Sequence, residues 1–293
     1  MVKTISIAKI LLPVEFTERC VGAARCAGFL AGHFHAELAL LHVATAPYVA
    51  YGEVNAYPPA ADFYTERWEQ QRRELDAFLS DAPAGLKVTR VLLDGEPARQ
   101  IVDYAQKGCF DLIVMPTHGY GPVRRFLQGS VTARVLHDAK CAVWTGPHLE
   151  QAPDRTKLSV RRILCALDLG PESRAVLEWA AAMASEFAAE LIILHVLPSS
   201  TVTAGGFRFD PRWLGEAQRE ARRRIAQLQT ETDAEGEIDI EVGDAAPTVR
   251  DVARLRQADL LVIGRTQGSG VLSRLQASEF PIVREAPCPV VSV

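Results

Sequence analysis

The sequence predicts an α/β protein made of two tandem, doubly wound, Rossmann-like domains, each with a five-stranded parallel sheet between helices. Three observations predict this class. The chain has 293 residues, about twice the length of a common domain of roughly 150 residues. One order of segments occurs twice along it. Short apolar, β-branched runs alternate with helical patterns, as they do in βαβ units.

The internal repeat is the strongest of the three signals. Lys9 aligns with Arg162 at an offset of 153 residues, and Asp111 aligns with Asp259 at an offset of 148. The matching pairs are "KILLPVEF" with "RILCALDL", "AELALLHV" with "AELIILHV", "DLIVMP" with "DLLVIG", and "CAVW" with "CPVV". This period is too long for a solenoid repeat. A polar, proline-containing segment joins the copies, so the predicted domains are residues 1–147 and 160–293.

Each copy contains five apolar runs without polar alternation, which indicates strands covered on both faces. Thr17 is the expected N-cap of the first helix. The apolar last runs are expected to be edge strands that cover one another. The predicted strands lie near 9–14, 37–43, 87–92, 111–115 and 141–145 in the first copy, and near 161–167, 190–196, 237–242, 259–263 and 288–292 in the second.

Composition and charge exclude several classes of protein function. The net charge of −4 gives no global case for nucleic-acid binding. No apolar run approaches the roughly 18 residues of a membrane span. The first apolar run is too short for a signal peptide and is interrupted by Lys9, so we expect a cytoplasmic protein. Six cysteines without CxxC spacing are expected to be small buried hydrophobes in a reducing compartment, and no metal site is predicted.

The first two strands of each copy end in residues that can contact a ligand, because doubly wound sheets bind ligands beyond the carboxyl ends of their strands. The first strand of copy one ends in Pro13-Val14-Glu15, and that of copy two ends in Ala166-Leu167-Asp168. Such a carboxylate can meet a ribose hydroxyl or a metal, or it can simply favour a helix N-terminus. His42 and His195 end the second strands and are interpreted as satisfied strand-end histidines, because no motif places a nucleophile beside them.

The loop "MPTHGYGPVRRFLQGS" after the fourth strand of copy one has the composition of an anion cradle. Gly119 supplies a close main-chain approach, and Gly129 with Ser130 opens a helix. Arg124 can pair with a polyphosphate. The alternative is an ordinary loop and helix cap with a solvated arginine. The chain has no GxxxxGK[ST] loop, no GxGxxG after its first strand and no GxSxG elbow.

Taken together, these segments resemble the universal stress protein family in its tandem two-domain form. The resemblance is carried by "KILLPVEFTE", "AELALLHV" and "DLIVMPTHGYGPVRRFLQGSVTARVLHDAKCAV" with their second-copy partners. It implies strand order 3-2-1-4-5 and dimerisation through the last strand. It also implies ATP or AMP binding through a G-x2-G-x9-G-[ST] motif after the fourth strand, without a dedicated catalytic group.

In copy one, the resemblance assigns phosphate contacts to Gly119, Gly129 and Ser130. Pro116 stands at the first motif glycine, and proline has no N–H to donate. Glu15 replaces the family's usual aspartate. Val43 matches the position whose main chain meets adenine in nucleotide-bound members.

In copy two, the resemblance keeps Asp168, Gly264 and Ser278. The remaining motif glycines are replaced by Gln267 and Ala277. Glu279 follows the serine, where a carboxylate repels phosphate. The resemblance therefore implies that copy two binds nucleotide weakly or not at all.

The expected function is a stress-response role in which copy one binds ATP or AMP, with Mg²⁺ allowed beside the nucleotide, and copy two binds no cofactor. Binding is expected to be regulatory, and any hydrolysis slow, because no general base or Mg²⁺ clamp is evident. The alternative is a scaffold that binds another small ligand or a protein partner. The expected partners include no nucleic acid and no membrane. The two domains are expected to form an intrachain pseudo-dimer, and a further homodimer stays open.

Overall fold

The computed structural model describes residues 5–45, 61–79, 85–117, 130–146, 149, 159–198, 211–265 and 276–293. For residues 18–19, 61–63, 130, 211–213 and 276–280 it describes the backbone alone. The described residues fall into two compact units. One comprises those of Ile7–Cys141, and the other those of Met1–Ser6, Ala142–Leu149 and Thr156–Val293.

The first unit is a four-stranded parallel sheet with helices along the chain between its strands. Its strands are β1 (Lys9–Pro13), β2 (Glu37–Ala44), β3 (Val88–Asp94) and β4 (Leu112–Val114). Its helices are α1 (Glu18–Phe34), α2 (Ala61–Ala77), α3 (Pro97–Lys107) and α4 (Ser130–Asp138). The strand order is β3-β2-β1-β4. Leu11 of β1 pairs with Ala39 of β2 and Ile113 of β4, so β1 is paired on both sides.

The second unit contains six strands in the order β5-β10-β9-β6-β7-β8. Its strands are β5 (Ala142–Thr145), β6 (Arg162–Ala166), β7 (Glu190–Pro198), β8 (Glu237–Gly243), β9 (Leu260–Ile263) and β10 (Val290–Ser292). Its helices are α5 (Ser173–Phe187), α6 (Pro211–Thr232), α7 (Ala245–Leu255) and α8 (Gln276–Glu285). All pairs are parallel except β5 with β10. The second repeat therefore has order 3-2-1-4-5 in its own numbering, and the predicted fold class is confirmed.

Consecutive apolar residues form the strands because helices cover both faces of the sheet. Ile10, Leu11 and Leu12 are each fully buried although they point alternately to opposite faces. Ile163, Leu164 and Cys165 are buried in the same way in the second repeat. A polar residue at any of these positions would be buried without water to solvate it.

The last strands of the two repeats pair with each other, as predicted for two apolar edges. Trp144 of β5 lies opposite Val291 of β10 in an antiparallel ladder, and both side chains are fully buried. Strand β5 is the last strand of the first sequence repeat, but its contacts place it in the second compact unit. The domain bounds 1–147 and 160–293 stay a prediction.

The helix cap and the cysteines only partly follow the sequence expectations. Thr17 is the N-cap residue of α1, but its side chain caps no backbone N–H and its Oγ1 lies 3.6 Å from Cys20 Sγ. Burial raises the pKa of Cys26 and Cys288 to about 12, so both behave as inert hydrophobes. Cys20 and Cys165 are also buried. Cys109 is exposed and Cys141 half-buried, so the expectation of burial is wrong for these two.

Among the helices that the structure describes, none combines the length and the apolar character needed to cross a membrane.

The first prediction concerns the β5–β10 ladder. We expect Trp144→Ala to lower the free energy of unfolding by about 3–5 kcal/mol, because it empties a fully buried site. Urea unfolding followed by circular dichroism measures this change. Trp68 is 41% exposed on α2, and Trp68→Ala is the control with a loss under about 1 kcal/mol. Equal losses for the two variants would contradict the described packing.

Candidate functional site

The chain turns sharply where β1 ends. Val14 follows the strand and its N–H donates to the carbonyl of Leu41 at 2.9 Å, which extends the pairing of β1 with β2 by one residue. Pro13 and Val14 are buried, and Glu15 is half-buried. Phe16 has φ 59°, a left-handed conformation that is uncommon outside glycine. This turn places Glu15 at the carboxyl edge of the sheet.

The end of β2 lies at the same edge. His42 Nδ1 is 2.7 Å from the carbonyl oxygen of Val14, and because a carbonyl only accepts, Nδ1 carries the proton. The expectation of a satisfied histidine holds for this nitrogen. The other ring nitrogen, Nε2, is buried and has no hydrogen-bond partner among the described residues. Val43 is half-buried and pairs in register with Leu93 of β3.

The end of β4 meets the beginning of α4. Pro116 and Thr117 are buried just beyond the strand, and the Thr132 hydroxyl donates to the carbonyl of Pro116 at 3.1 Å. Thr132 belongs to the first turn of α4, which begins at Ser130. The N-terminus of this helix therefore lies where β4 ends.

Most of the residues that the sequence analysis assigns to phosphate contacts lie outside the described residues. Gly119, Arg124 and Gly129 lie outside the described residues. Ser130 is described as the first residue of α4 by its backbone alone. The described neighbourhood suits an anion, because a helix N-terminus presents unpaired N–H groups and the positive end of the helix dipole.

The equivalent carboxylate of the second repeat is held by its own turn. Asp168 Oδ1 accepts from the Gly170 N–H at 2.8 Å and from the Ser173 hydroxyl at 3.0 Å. Cys20 occupies the position of Ser173 in the first repeat, and its Sγ accepts from the Glu15 N–H at 3.3 Å. The turns that carry the two carboxylates are therefore stabilised by different hydrogen bonds. The sequence alone, in which glutamate replaces aspartate, does not show this difference.

The strand-end histidine is repeated in the second copy with the same geometry. His195 Nδ1 lies 2.7 Å from the carbonyl oxygen of Leu167, again 28 positions away in sequence. Burial lowers the pKa of His195 below its ordinary value, against the opposing effects of the Leu167 carbonyl and Asp168. The ring is therefore neutral near pH 7 and acts as a hydrogen-bond donor to the main chain.

Gly264, the first motif glycine of the second repeat, has a packing role. A Cβ atom at this position would lie 2.9 Å from Val176 Cγ2 of α5, closer than two carbon atoms can approach without a shift. Ala23 stands at the position of Val176 in the first repeat, where Pro116 replaces the glycine. Alanine lacks the Cγ2 methyl group that a Cβ at position 264 would meet. The sequence therefore combines the larger motif residue with the smaller helix residue in the first repeat.

The helix after the second motif loop contains Ser278 and also Pro281. In the described residues, α8 spans Gln276–Glu285. Gln267 lies outside the described residues, and the structure describes Ser278 and Glu279 by backbone alone. Ser278 therefore lies inside the described part of its helix.

Within the described ranges, no group of three or more His, Cys, Asp or Glu side chains is arranged to hold a metal ion.

The fold and its repeated sheet edge define a doubly wound α/β protein in which the same order of strands and helices occurs twice. The model of the universal stress protein family matches residues 6–145 and again residues 159–293. The chain therefore belongs to the universal stress protein family, with two of its domains in tandem.

Individual relatives agree with this assignment. The chain is 30% identical over 136 residues to a universal stress protein of Methanocaldococcus jannaschii, covering 46% of this chain and 79% of that protein. A universal stress protein structure from Archaeoglobus fulgidus matches 97% of this chain and 95% of its own, with a TM-score of 0.66 and 20% identity. A functionally unknown protein of Pseudomonas aeruginosa matches 98% and 92%, with a TM-score of 0.62 and 16% identity. These two structures show the shared fold.

The second prediction tests the packing role of Gly264. We expect Gly264→Ala to lower the free energy of unfolding by about 1–3 kcal/mol, because its Cβ meets Val176. In a Val176→Ala background the same change is expected to cost less. Gly32→Ala is the control, since nothing lies within 4 Å of its added Cβ, and it should be neutral or stabilising. Denaturant unfolding measures all four variants, and strictly additive losses would contradict the steric account.

Proposed function

We propose that the protein binds ATP or AMP at the carboxyl edge of its first repeat and that this binding is regulatory. One observation carries the proposal. The hydrogen bond from Thr132 to Pro116 holds the N-terminus of α4 at the end of β4, and β1 with its Glu15 turn is the neighbouring strand. The switch point of the sheet therefore combines a carboxylate with an anion-favouring helix terminus. Membership of the universal stress protein family supports the adenine nucleotide as the ligand.

The phosphates are assigned to the loop before α4. Gly119 and Gly129 allow the main chain to approach phosphate oxygens closely, and Ser130 adds a hydroxyl at the first residue of the helix. Arg124 is proposed to pair with the outer phosphates. A Mg²⁺ ion is proposed to arrive with ATP as part of the ligand, with no resident site of its own.

The nucleoside is assigned to the ends of β1 and β2. Glu15 is proposed to accept hydrogen bonds from ribose hydroxyls, and the main chain of Val43 to contact adenine. Pro13 is buried where β1 ends and is proposed to line the nucleoside site. The half-buried Glu15 and the half-buried Val43 suit a polar sugar and a base edge.

Pro116 weakens this site without removing it. Proline cannot donate a backbone hydrogen bond, so one contact available to the first motif glycine is lost. The Pro116 carbonyl still anchors α4 through Thr132, so the helix terminus keeps its place. We therefore propose binding weaker than an intact motif would give.

The second repeat is proposed to bind no nucleotide. Asp168 Oδ1 is engaged by Gly170 and Ser173, which reduces its capacity to accept from a ribose. Two motif glycines are replaced there by Gln267 and Ala277. Glu279 adds a negative charge near Ser278, where phosphate would bind. Gly264 is explained by packing against Val176 and needs no ligand to account for it.

The proposed role is recognition in a cytoplasmic stress response, with at most slow ATP hydrolysis. No motif in either repeat supplies a phosphate-binding lysine or a general base for attack on the γ-phosphate. A scaffold function is the alternative, and it is favoured by Pro116 and by the altered second motif. A co-purifying protein or non-nucleotide ligand, together with absent ATP binding, would support the scaffold.

The third prediction tests this function by equilibrium dialysis with labelled ATP. Saturable binding is expected, and Gly129→Val should weaken it by about tenfold or more, because a side chain there blocks close approach of the main chain to phosphate. Ala277→Val at the matching position of the second repeat is the control and should leave the affinity unchanged. The proposal fails if binding does not saturate below millimolar ATP or if the two variants have equal effects.

A further inference from the structure

His42 contacts both residues that flank Glu15. Its Nδ1–H donates to the carbonyl of Val14 at 2.7 Å. Its ring lies against the ring of Phe16, with centroids 4.4 Å apart and planes tilted by 34°. Val14 precedes Glu15 and Phe16 follows it, so one side chain on β2 holds both ends of the segment that carries the carboxylate.

The turn needs such a support because part of its backbone is unfavourable. Phe16 has a left-handed φ of 59°, which costs energy for a residue with a bulky side chain. Its ring is held between His42 and Phe78, whose centroid lies 6.1 Å from that of Phe16. The Leu41 carbonyl fixes the Val14 N–H and His42 fixes the Val14 carbonyl, so the peptide units on both sides of the Val14 Cα are restrained.

Stability alone does not account for a histidine at this position. Donation from Nδ1 leaves Nε2 with a lone pair, and this nitrogen is buried with no hydrogen-bond partner among the described residues. A buried, unpaired acceptor is unfavourable. The imidazole therefore brings a hydrogen bond to the turn together with a cost that an apolar ring would avoid.

The second repeat keeps the histidine but supports its carboxylate by other bonds. His195 donates to the Leu167 carbonyl, and Leu169 again has a left-handed φ, of 60°. The carbonyl of Leu169 accepts from Arg224 at 2.7 Å, and Asp168 is braced by Ser173. The first repeat has Cys20 in place of this serine, and its Sγ accepts from the main-chain N–H of Glu15.

We propose that His42 is a positioning residue of the nucleotide site: it fixes the Val14–Phe16 segment so that Glu15 faces the ribose. This role rests on the proposed function for its effect on ATP, while the restraint of the turn itself is independent of any ligand. Neither the family match nor the motif residues assign a role to this histidine.

The test separates the donor of His42 from its ring. His42→Phe keeps an aromatic ring beside Phe16 and removes the donor. His42→Asn places a side-chain N–H near the position of Nδ1 and removes the ring. His195→Phe is the matched control in the second repeat. Dialysis with ATP is measured for each variant in the wild-type and Glu15→Ala backgrounds, and thermal melting confirms that each variant is folded.

We expect His42→Phe to weaken ATP binding about tenfold, and His42→Asn to stay within about threefold of wild type, because one restraining hydrogen bond is lost or kept. In the Glu15→Ala background, His42→Phe should have no further effect. His195→Phe should not change the affinity. An equal loss in both backgrounds would overturn the proposal, because His42 would then act independently of Glu15.

Hydrogen exchange of the peptide that spans Val14 to Cys20 supplies a readout that needs no ligand. Faster exchange in His42→Phe, with near-normal exchange in His42→Asn, is expected. Unchanged exchange in His42→Phe overturns the positioning role whatever ATP does. If wild-type protein binds no ATP, the proposed function fails, and the exchange experiment still decides whether His42 restrains the turn.

Discussion

The pairing of β1 on both sides is the constraint on which the candidate site depends. Leu11 is held between Ala39 of β2 and Ile113 of β4, and all three strands run in the same direction. Parallel strands end at a common edge, so the Glu15 turn, the end of β2 and the loop after β4 meet there. The strand order reverses direction at β1, and doubly wound sheets bind ligands at such a switch point.

The two repeats share this frame but stabilise their edges with different residues. The second repeat combines Gly264 with Val176, whereas the first combines Pro116 with Ala23. A Cβ at position 264 would press on Val176, so this neighbour disfavours a larger residue at the second motif. At the equivalent positions of the first repeat the sequence has a larger motif residue and a smaller helix residue.

The sequence predicts the ten strands closely because buried parallel strands are continuous apolar runs, and the repeat provides a second copy of each. The antiparallel pairing of Trp144 with Val291 follows from the same logic of covered edges. Other features depend on contacts that no local pattern contains. The bond from His42 to Val14 joins positions 28 residues apart and depends on one ring tautomer. The assignment of β5 to the second compact unit depends on its strand partner.

The surroundings of the motif residues depend on individual hydrogen bonds. Glu15 and Asp168 are equivalent in sequence, but Asp168 Oδ1 accepts from Gly170 and Ser173, whereas the Glu15 N–H donates to Cys20 Sγ. Thr17 has the composition of a helix cap, but its hydroxyl lies near a sulfur atom and bonds no backbone N–H. The sequence therefore predicts which residues lie at the carboxyl edge of the sheet, and hydrogen bonds determine how each side chain is held there.

The proposed function requires that the first repeat binds nucleotide and the second does not. Native mass spectrometry of the intact chain, titrated with ATP, measures the number of nucleotides bound to each chain directly. The account predicts a single bound ATP at saturation, which Glu15→Ala weakens and Asp168→Ala does not. Two bound nucleotides per chain, or one that depends on Asp168 instead of Glu15, would contradict it.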